Sequence, residues 1–323
     1  LSLNLFQATV KGGILMGTDA SAENEIRSFS ATGGVSLAEA TLGVIGAQAA
    51  TFTMPDGLAL DCNGMSVVRV CSFSRINVSG GVNLARATVN GVLIFTDATL
   101  NNPKGEALNA MNLTAKSDVF LTRLVVNGVV QFASSSIDGR FRIEDSRLTE
   151  TTGIAFNGGA MVVRGECTLI SILAIGTVGL SNANFESTLR IFANVAEKGK
   201  GLSLLGAKCS KDVIIDGEFT GAVSVDCSML TIAQSLELGS SFCSRGEFRM
   251  EAAQVETDFR ANEGSKFFLA PEAPTQTTAL VSSLDTGNSR RSLCLTLATI
   301  GGRVVMSHPA EHQGNGNPDC PTV

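Results

Sequence analysis

The chain has no tryptophan and no tyrosine, and only two histidines among its 323 residues. The missing ring donors suit a narrow, stacked core with no place for a buried indole or phenol, and the 17 phenylalanines supply the aromatic volume instead. So little histidine weighs against Ser–His–Asp and Cys–His catalysis. No phosphate loop of the form GxxxxGKS is present, and no GxGxxG follows a strand and opens a helix, so nucleotide cofactors have no fingerprint here. No apolar run approaches the roughly 20 residues that span a bilayer. The longest, 169–180, is interrupted by Ser171, Gly176 and Thr177. Residues 1–10 lack a basic leader followed by an unbroken apolar stretch, so no signal peptide is read there. The net charge of −6 argues against a nucleic-acid partner.

Eight cysteines are present, at 62, 71, 167, 209, 227, 243, 294 and 320, and no two form a CxxC pair. That spacing is read as buried free thiols serving as small hydrophobes, in a reducing compartment, rather than as a disulfide framework or a zinc site. A cytoplasmic location is the corresponding expectation. The sequons at Asn77 and Asn112 match a short motif of low specificity and are set aside.

What the chain does have is repetition. Val35, Leu37, Ala40 and Leu42 return as Val82, Leu84, Ala87 and Val89, then Val130, Phe132, Ser135 and Ile137, then Val178, Leu180, Ala183 and Phe185. A second phase runs through Leu93, Phe95, Ala98 and Leu100 and recurs at Phe141, Ile143, Ser146 and Leu148. A third is GEALN at 105–109, returning as GIAFN at 153–157 and GLSLL at 201–205. All three phases share one period of roughly 48 residues, and self-similarity at a fixed period marks a solenoid.

Apolar residues at i and i+2 share one face of an extended strand. Apolar residues at i+5 and i+7 keep facing inward only if the chain turns a corner between the pairs. Each segment is thus two short strands with a bend, with a small residue where a large one would crowd the axis. Two segments close a coil of roughly 22–24 residues, and the whole chain would make roughly 13 coils. Helix requires apolar residues at i, i+3, i+4 and i+7, which these segments do not supply. The expected fold class is therefore all-β, a right-handed quadrilateral β-helix solenoid.

In chain order, residues 1–255 read as solenoid, 256–291 as an irregular loop or insertion around Pro271 and Pro274, 292–307 as final β-helix segments, and 308–323 as a flexible polar tail. Residues 17–28 read as a loop. Pro55-Asp-Gly57 and Pro103-Lys-Gly105 read as matched turns, and Asn90-Gly91, Asn127-Gly128, Asp138-Gly139 and Asn157-Gly158 as corners, because Asn, Asp and Gly tolerate left-handed backbone. Asn109 and Asn157 share one phase, either in an inward amide ladder or as turn residues. The first segment, Leu3 to Val10, has no covering helix before it. Its open edge is expected to be capped by a preceding segment or by another subunit.

Two groups of residues could carry chemistry. His308 and His312 have the four-residue spacing of a metal pair, with Asp319 and Cys320 following, but Pro309 between them and the polar surroundings favour an unstructured tail. Arg140, Arg142, Glu144 and Asp145 lie together on one strand and bend, with Arg142 echoed at Arg190 and Asp145 at Asp97. Acids on an outer strand face could serve a carbohydrate enzyme; a solvated surface of ion pairs is the plainer reading. No catalytic, cofactor-binding or metal-binding residue is assigned.

The stretch 80–113 (GGVNLARATVNGVLIFTDATLNNPKGEALNAMNL), followed by VFL at 119–121, resembles bacterial pentapeptide-like β-helix proteins, many of which are labelled membrane-associated oxidoreductase. The resemblance covers roughly 3–255 and 293–306. It implies a β-helix and no particular activity, and no residue supports the oxidoreductase label. The chain keeps the small-x-apolar element, as at Ala98-Thr-Leu100, but departs from the strict five-residue frame. The expectation is a non-catalytic structural or protein-interaction module, self-associating through coil ends or faces, with no cofactor. The alternatives are a carbohydrate-active or carbohydrate-binding β-helix and a DNA-mimic inhibitor.

Overall fold

A computed structural model describes residues 2–17, 28–197, 200–268, 293–294, 298–300 and 304–306. The fold is a parallel β-solenoid of about 10 turns, with no helix among the described residues. Four parallel ladders run along it. The first passes through Val35–Ser36 and residues 60–61, 82–83, 108–109, 130–131 and 156–157. The second joins Ser66–Val67, Thr88–Val89, Thr114–Ala115, Ser136–Ile137 and Val162–Val163. The third joins Cys71–Ser74, Leu93–Thr96, Val119–Thr122 and Phe141–Glu144. The fourth carries Thr51, Asn77, Thr99, Val125 and Arg147 in register.

Alternation puts every second residue of each strand into one continuous core. The repeated set Val130, Phe132, Ser135 and Ile137 is buried, and so are the small corner residues Ala40, Ala87, Ala98 and Ala183. Ser135 is the one polar member of its set, and its hydroxyl donates to the carbonyl of Phe132 at 2.7 Å. Phenylalanines stack between turns, as Phe73 and Phe95 do with centroids 4.7 Å apart.

The double-turn period has a structural cause. Along the third ladder Cys71 pairs with Leu93, Leu93 with Val119, Val119 with Phe141, Phe141 with Cys167 and Cys167 with Leu189. Short turns therefore alternate with long ones: the turn from Cys71 to Leu93 is short, and the turn from Leu93 to Val119 is long. Long and short turns average to the expected coil, and about 10 turns lie among the described residues. The extra residues of a long turn sit in one place. Asn101 pairs with Asn127 and Leu108 with Val130, and the register breaks between them. Pro103-Lys-Gly105 lies in that excursion, within the strand Thr99–Asn109, and Pro55-Asp-Gly57 lies in the equivalent one within Thr51–Asp61.

Asn90-Gly91 and Asp138-Gly139 lie at bends between the second and third ladders, as expected, but none of their four residues is left-handed. Asn127-Gly128 lies inside the strand Val125–Gln131, where Gly128 (φ 118°) passes beneath an excursion. The left-handed corners mostly use residues with side chains: Arg86, Asn112, Ser134, Ala160 and Asn182 at one, where Gly64 and Gly206 also stand, and Arg75, Asp97, Arg123, Asp145 and Ser171 at another, the non-glycine residues all with φ between 49° and 58°. Hydrogen bonds between turns hold them there. The N–H of Arg86 donates to Met111 O at 2.9 Å, and that of Asn112 to Ala133 O at 3.0 Å. These bonds offset the roughly 1–2 kcal/mol that an L-residue loses in the left-handed region.

Beyond residue 268, Leu293–Cys294 continues the first ladder against Phe248 and Arg249, and Val304–Met306 the third against Phe259–Ala261. The loop expected at 17–28 and the interruption at 256–291 fall largely outside the described residues.

Candidate functional site

The interior is filled by the apolar core, so a ligand or partner can meet only the outer surface. Its most ordered feature is a column of alternating charge at the corner between the second and third ladders. Lys116 pairs with Asp138 at 3.3 Å, Asp138 with Arg164, and Arg164 with Glu186 at 3.7 Å, each partner one turn from the next. Beside it Arg140 grips Asp118 at 2.8 Å and stands 5.3 Å from the centre of the Phe120 ring. The guanidinium of Arg140, by hydrogen bonding, holds the Asp118 carboxyl below its ordinary range.

The charged residues singled out in the sequence do not converge. Arg142 and Glu144 face outward from the same strand and pair with each other at 2.6 Å. Arg190 pairs with Glu166 at 2.5 Å rather than with any acid near Arg142. Asp97 and Asp145 both occupy left-handed corners, and Asp97 is held by Arg123 of the next turn at 2.5 and 2.9 Å. Such exposed pairs match the plainer reading, a solvated face. His308, His312, Asp319 and Cys320 lie outside the described residues.

Asn109 and Asn157 are turn residues. Each side-chain oxygen accepts from the backbone N–H two residues ahead, Met111 at 3.0 Å and Gly159 at 2.9 Å. Asn4, Asp61, Asn83 and Asp226 make the same bond in other turns. The corner after the first ladder is thus built from Asx turns.

Cys62, Cys71, Cys167, Cys209 and Cys227 are free and buried, and Cys243 is buried. Burial pushes the thiols of Cys62, Cys71, Cys167 and Cys227 well up, so none of these four is a ready nucleophile. Among the described residues no group of three or more His, Cys, Asp or Glu could hold a metal ion, and no helix is long and apolar enough to cross a membrane.

Three surface features could engage a ligand or partner, and none of them involves the histidines or the charged residues singled out in the sequence. The first is an apolar flank. Val68 and Val70 are 53% and 38% exposed, and half-buried Val92, Ile94 and Phe120 follow on the next two turns. The second is the outer face of the fourth ladder. There Thr53, Ser79, Asn101, Asn127 and Thr149 succeed one another in register, with Asn127 Nδ2 donating to Asn101 Oδ1 at 2.9 Å.

The third is a cleft of about 460 Å³ at the corner between the third and fourth ladders. It exists because one turn is a residue short. Ile170 pairs with Phe192 and Ile172 with Ala193, leaving the left-handed Ser171 without a counterpart. Phe192 and Leu173 form its apolar wall, and Ser171, Asn194, Asp216 and Ser241 line the rest. One oxygen of Asp216 accepts from the N–H of Gly217 at 2.9 Å, and Asn194 Oδ1 accepts from the N–H of Glu218 at 3.0 Å. The outward periodicity of the strands could have indicated the first two features. The third depends on a register slip that no motif announces.

Comparison with protein-family models, with curated proteins and with solved structures finds no match for this chain. The resemblance noted in the sequence therefore holds as far as a parallel β-solenoid, without helices among the described residues.

Proposed function

We propose that the chain is a non-catalytic, pentapeptide-like β-helix, right-handed and four-sided, that works in the bacterial cytoplasm as a structural or protein-interaction module and associates with itself through a lateral face. The apolar flank carries this reading. Val68 and Val70 expose branched apolar side chains on either side of the exposed Arg69, and half-buried Val92, Ile94 and Phe120 extend the patch along the axis. Contiguous apolar surface beside a charged rim is typical of protein-binding faces. Here the rim is the column from Lys116 to Glu186.

Sedimentation velocity over a concentration series, with negative-stain electron microscopy of the same samples, tests the reading. Assembly that grows with concentration and is lost in Val68→Lys and Val70→Lys supports it. A monomer at every concentration overturns it.

A second reading is a carbohydrate-binding β-helix. The in-register column Thr53, Ser79, Asn101, Asn127 and Thr149 supports it, since hydroxyls and amides at a strand-to-strand spacing of roughly 4.8 Å can bond successive sugar hydroxyls. Retention on a polysaccharide array, lost in Asn101→Ala, would favour it over self-association. DNA mimicry is the weakest of the three, because bases interrupt the acids of the charged column at Arg164 and Lys116. A topoisomerase assay with no inhibition removes it.

A further inference from the structure

The cleft beside Ser171 combines a ring, a carboxylate and unoccupied hydroxyls in a way that selects one kind of occupant. Phe192 and Asp216 are neighbours on the third ladder, paired in register and facing outward. The shortened corner uncovers the Phe192 ring where the neighbouring turns place a left-handed residue. Asp216 spends one oxygen on Gly217 N–H. Its second oxygen has no hydrogen-bond donor and no cation among the described residues, and the hydroxyls of Ser171 and Ser241 have no protein partner there either. Three other outward carboxylates are matched by cations, Glu144 by Arg142, Glu166 by Arg190, and Glu218 by Arg245 at 2.5 Å, while Glu237 and Asp212 accept from neutral donors, Asn262 and the N–H of Ser235.

We propose that this cleft seats an arginine side chain from a protein partner, with its guanidinium laid on the Phe192 ring and hydrogen-bonded to the free oxygen of Asp216. The inference rests on the reading of the chain as an interaction module. Three features of the guanidinium fit. It is planar and weakly hydrated, so it stacks on a ring face more readily than an ammonium does. Its several N–H donors suit a carboxylate acceptor, which they can meet with charge-assisted hydrogen bonds. Its positive charge would give Asp216 the kind of partner that Glu144, Glu166 and Glu218 already have. A neutral sugar would use the hydroxyls and leave the carboxylate uncompensated.

The test is an amide-shift titration of the full chain by NMR with N-acetyl-arginine methylamide, alongside the neutral citrulline analogue and methyl glucoside. Saturable shifts at Ser171, Gly217 and Ser241 with the arginine probe alone are the expected result. Asp216→Asn keeps the acceptor for Gly217 N–H and removes the charge; it should weaken binding by about tenfold or more. Phe192→Leu keeps the apolar wall and removes the ring; it should weaken binding by about threefold. Equal shifts with the citrulline analogue, shifts with methyl glucoside in place of arginine, or no saturable shift at these three amides would overturn the proposal. The titration reads the cleft without requiring any assembly. Its failure is therefore distinct from finding a monomer at every concentration, which would count against the module reading itself.

Discussion

Gly128 runs so close beneath Asn102 that a Cβ on the glycine would stand 2.3 Å from the Asn102 carbonyl oxygen and 2.8 Å from that of Gly105. Gly80 and Gly176 stand in the same relation to the excursions at Met54 and Glu150. The short turn passes under the loop of the long turn, and only a glycine at φ 118° fits. Gly128→Ala should therefore destabilise the fold by on the order of 2–4 kcal/mol, through steric conflict with backbone and left-handed strain together. Gly153→Ala, where nothing lies within 4 Å of the added carbon, should change the denaturant midpoint little. Chemical denaturation of both variants checks the contrast.

The stacked rings give a second expectation. Phe95 is fully buried and packs on Phe73 with centroids 4.7 Å apart. Phe95→Ala should cost about 3–5 kcal/mol, and Phe95→Leu distinctly less, because leucine leaves a smaller void. Equal losses in urea unfolding would mean that the core collapses around the gap.

Asp226 supplies a pH dependence. It is almost wholly buried, which alone would raise its carboxyl, but hydrogen bonds from Lys200 at 2.8 Å and from the N–H of Ser228 outweigh burial and leave it below its ordinary value. A carboxylate depressed in the folded state stabilises the fold above its unfolded pKa of about 3.9. That stabilisation is lost as pH falls through the lower, folded value. Asp226→Asn should thus lower the melting temperature at neutral pH and flatten the fall in stability below about pH 4. An acid limb that is the same in both proteins would refute this assignment.

The buried thiols predict chemical silence. Burial holds Cys62, Cys71, Cys167 and Cys227 in the protonated form at neutral pH. In mass-spectrometric mapping these four should take up iodoacetamide in denaturant and not in the native protein. Rapid native labelling at any of them would show local opening of the core.

Much of the fold was legible in the residues. Val82, Leu84, Ala87 and Val89, with their recurrences, specify inward positions and a corner, because side chains alternate along strands and a small residue marks where the walls crowd. The stacking of coils follows from that repetition, since each segment buries its apolar face only against its own copy. What tertiary structure alone decided was where the chain departs from that rule. Which turn is long and which short depends on an excursion that pairs with nothing, so the sequence shows the double-turn period without its division into unequal turns. The left-handed corners fall on Arg86, Asn112, Arg123 and Asp145, residues with no common preference for that conformation, because hydrogen bonds from the adjacent turn hold the backbone there whatever the side chain. The partners of Arg190 and Asp97, the apolar flank at Val68 and the cleft at Phe192 likewise depend on contacts between successive turns, which join residues distant in the chain. A local pattern specifies each strand; only the stacking of one strand on the next determines what its outer face meets.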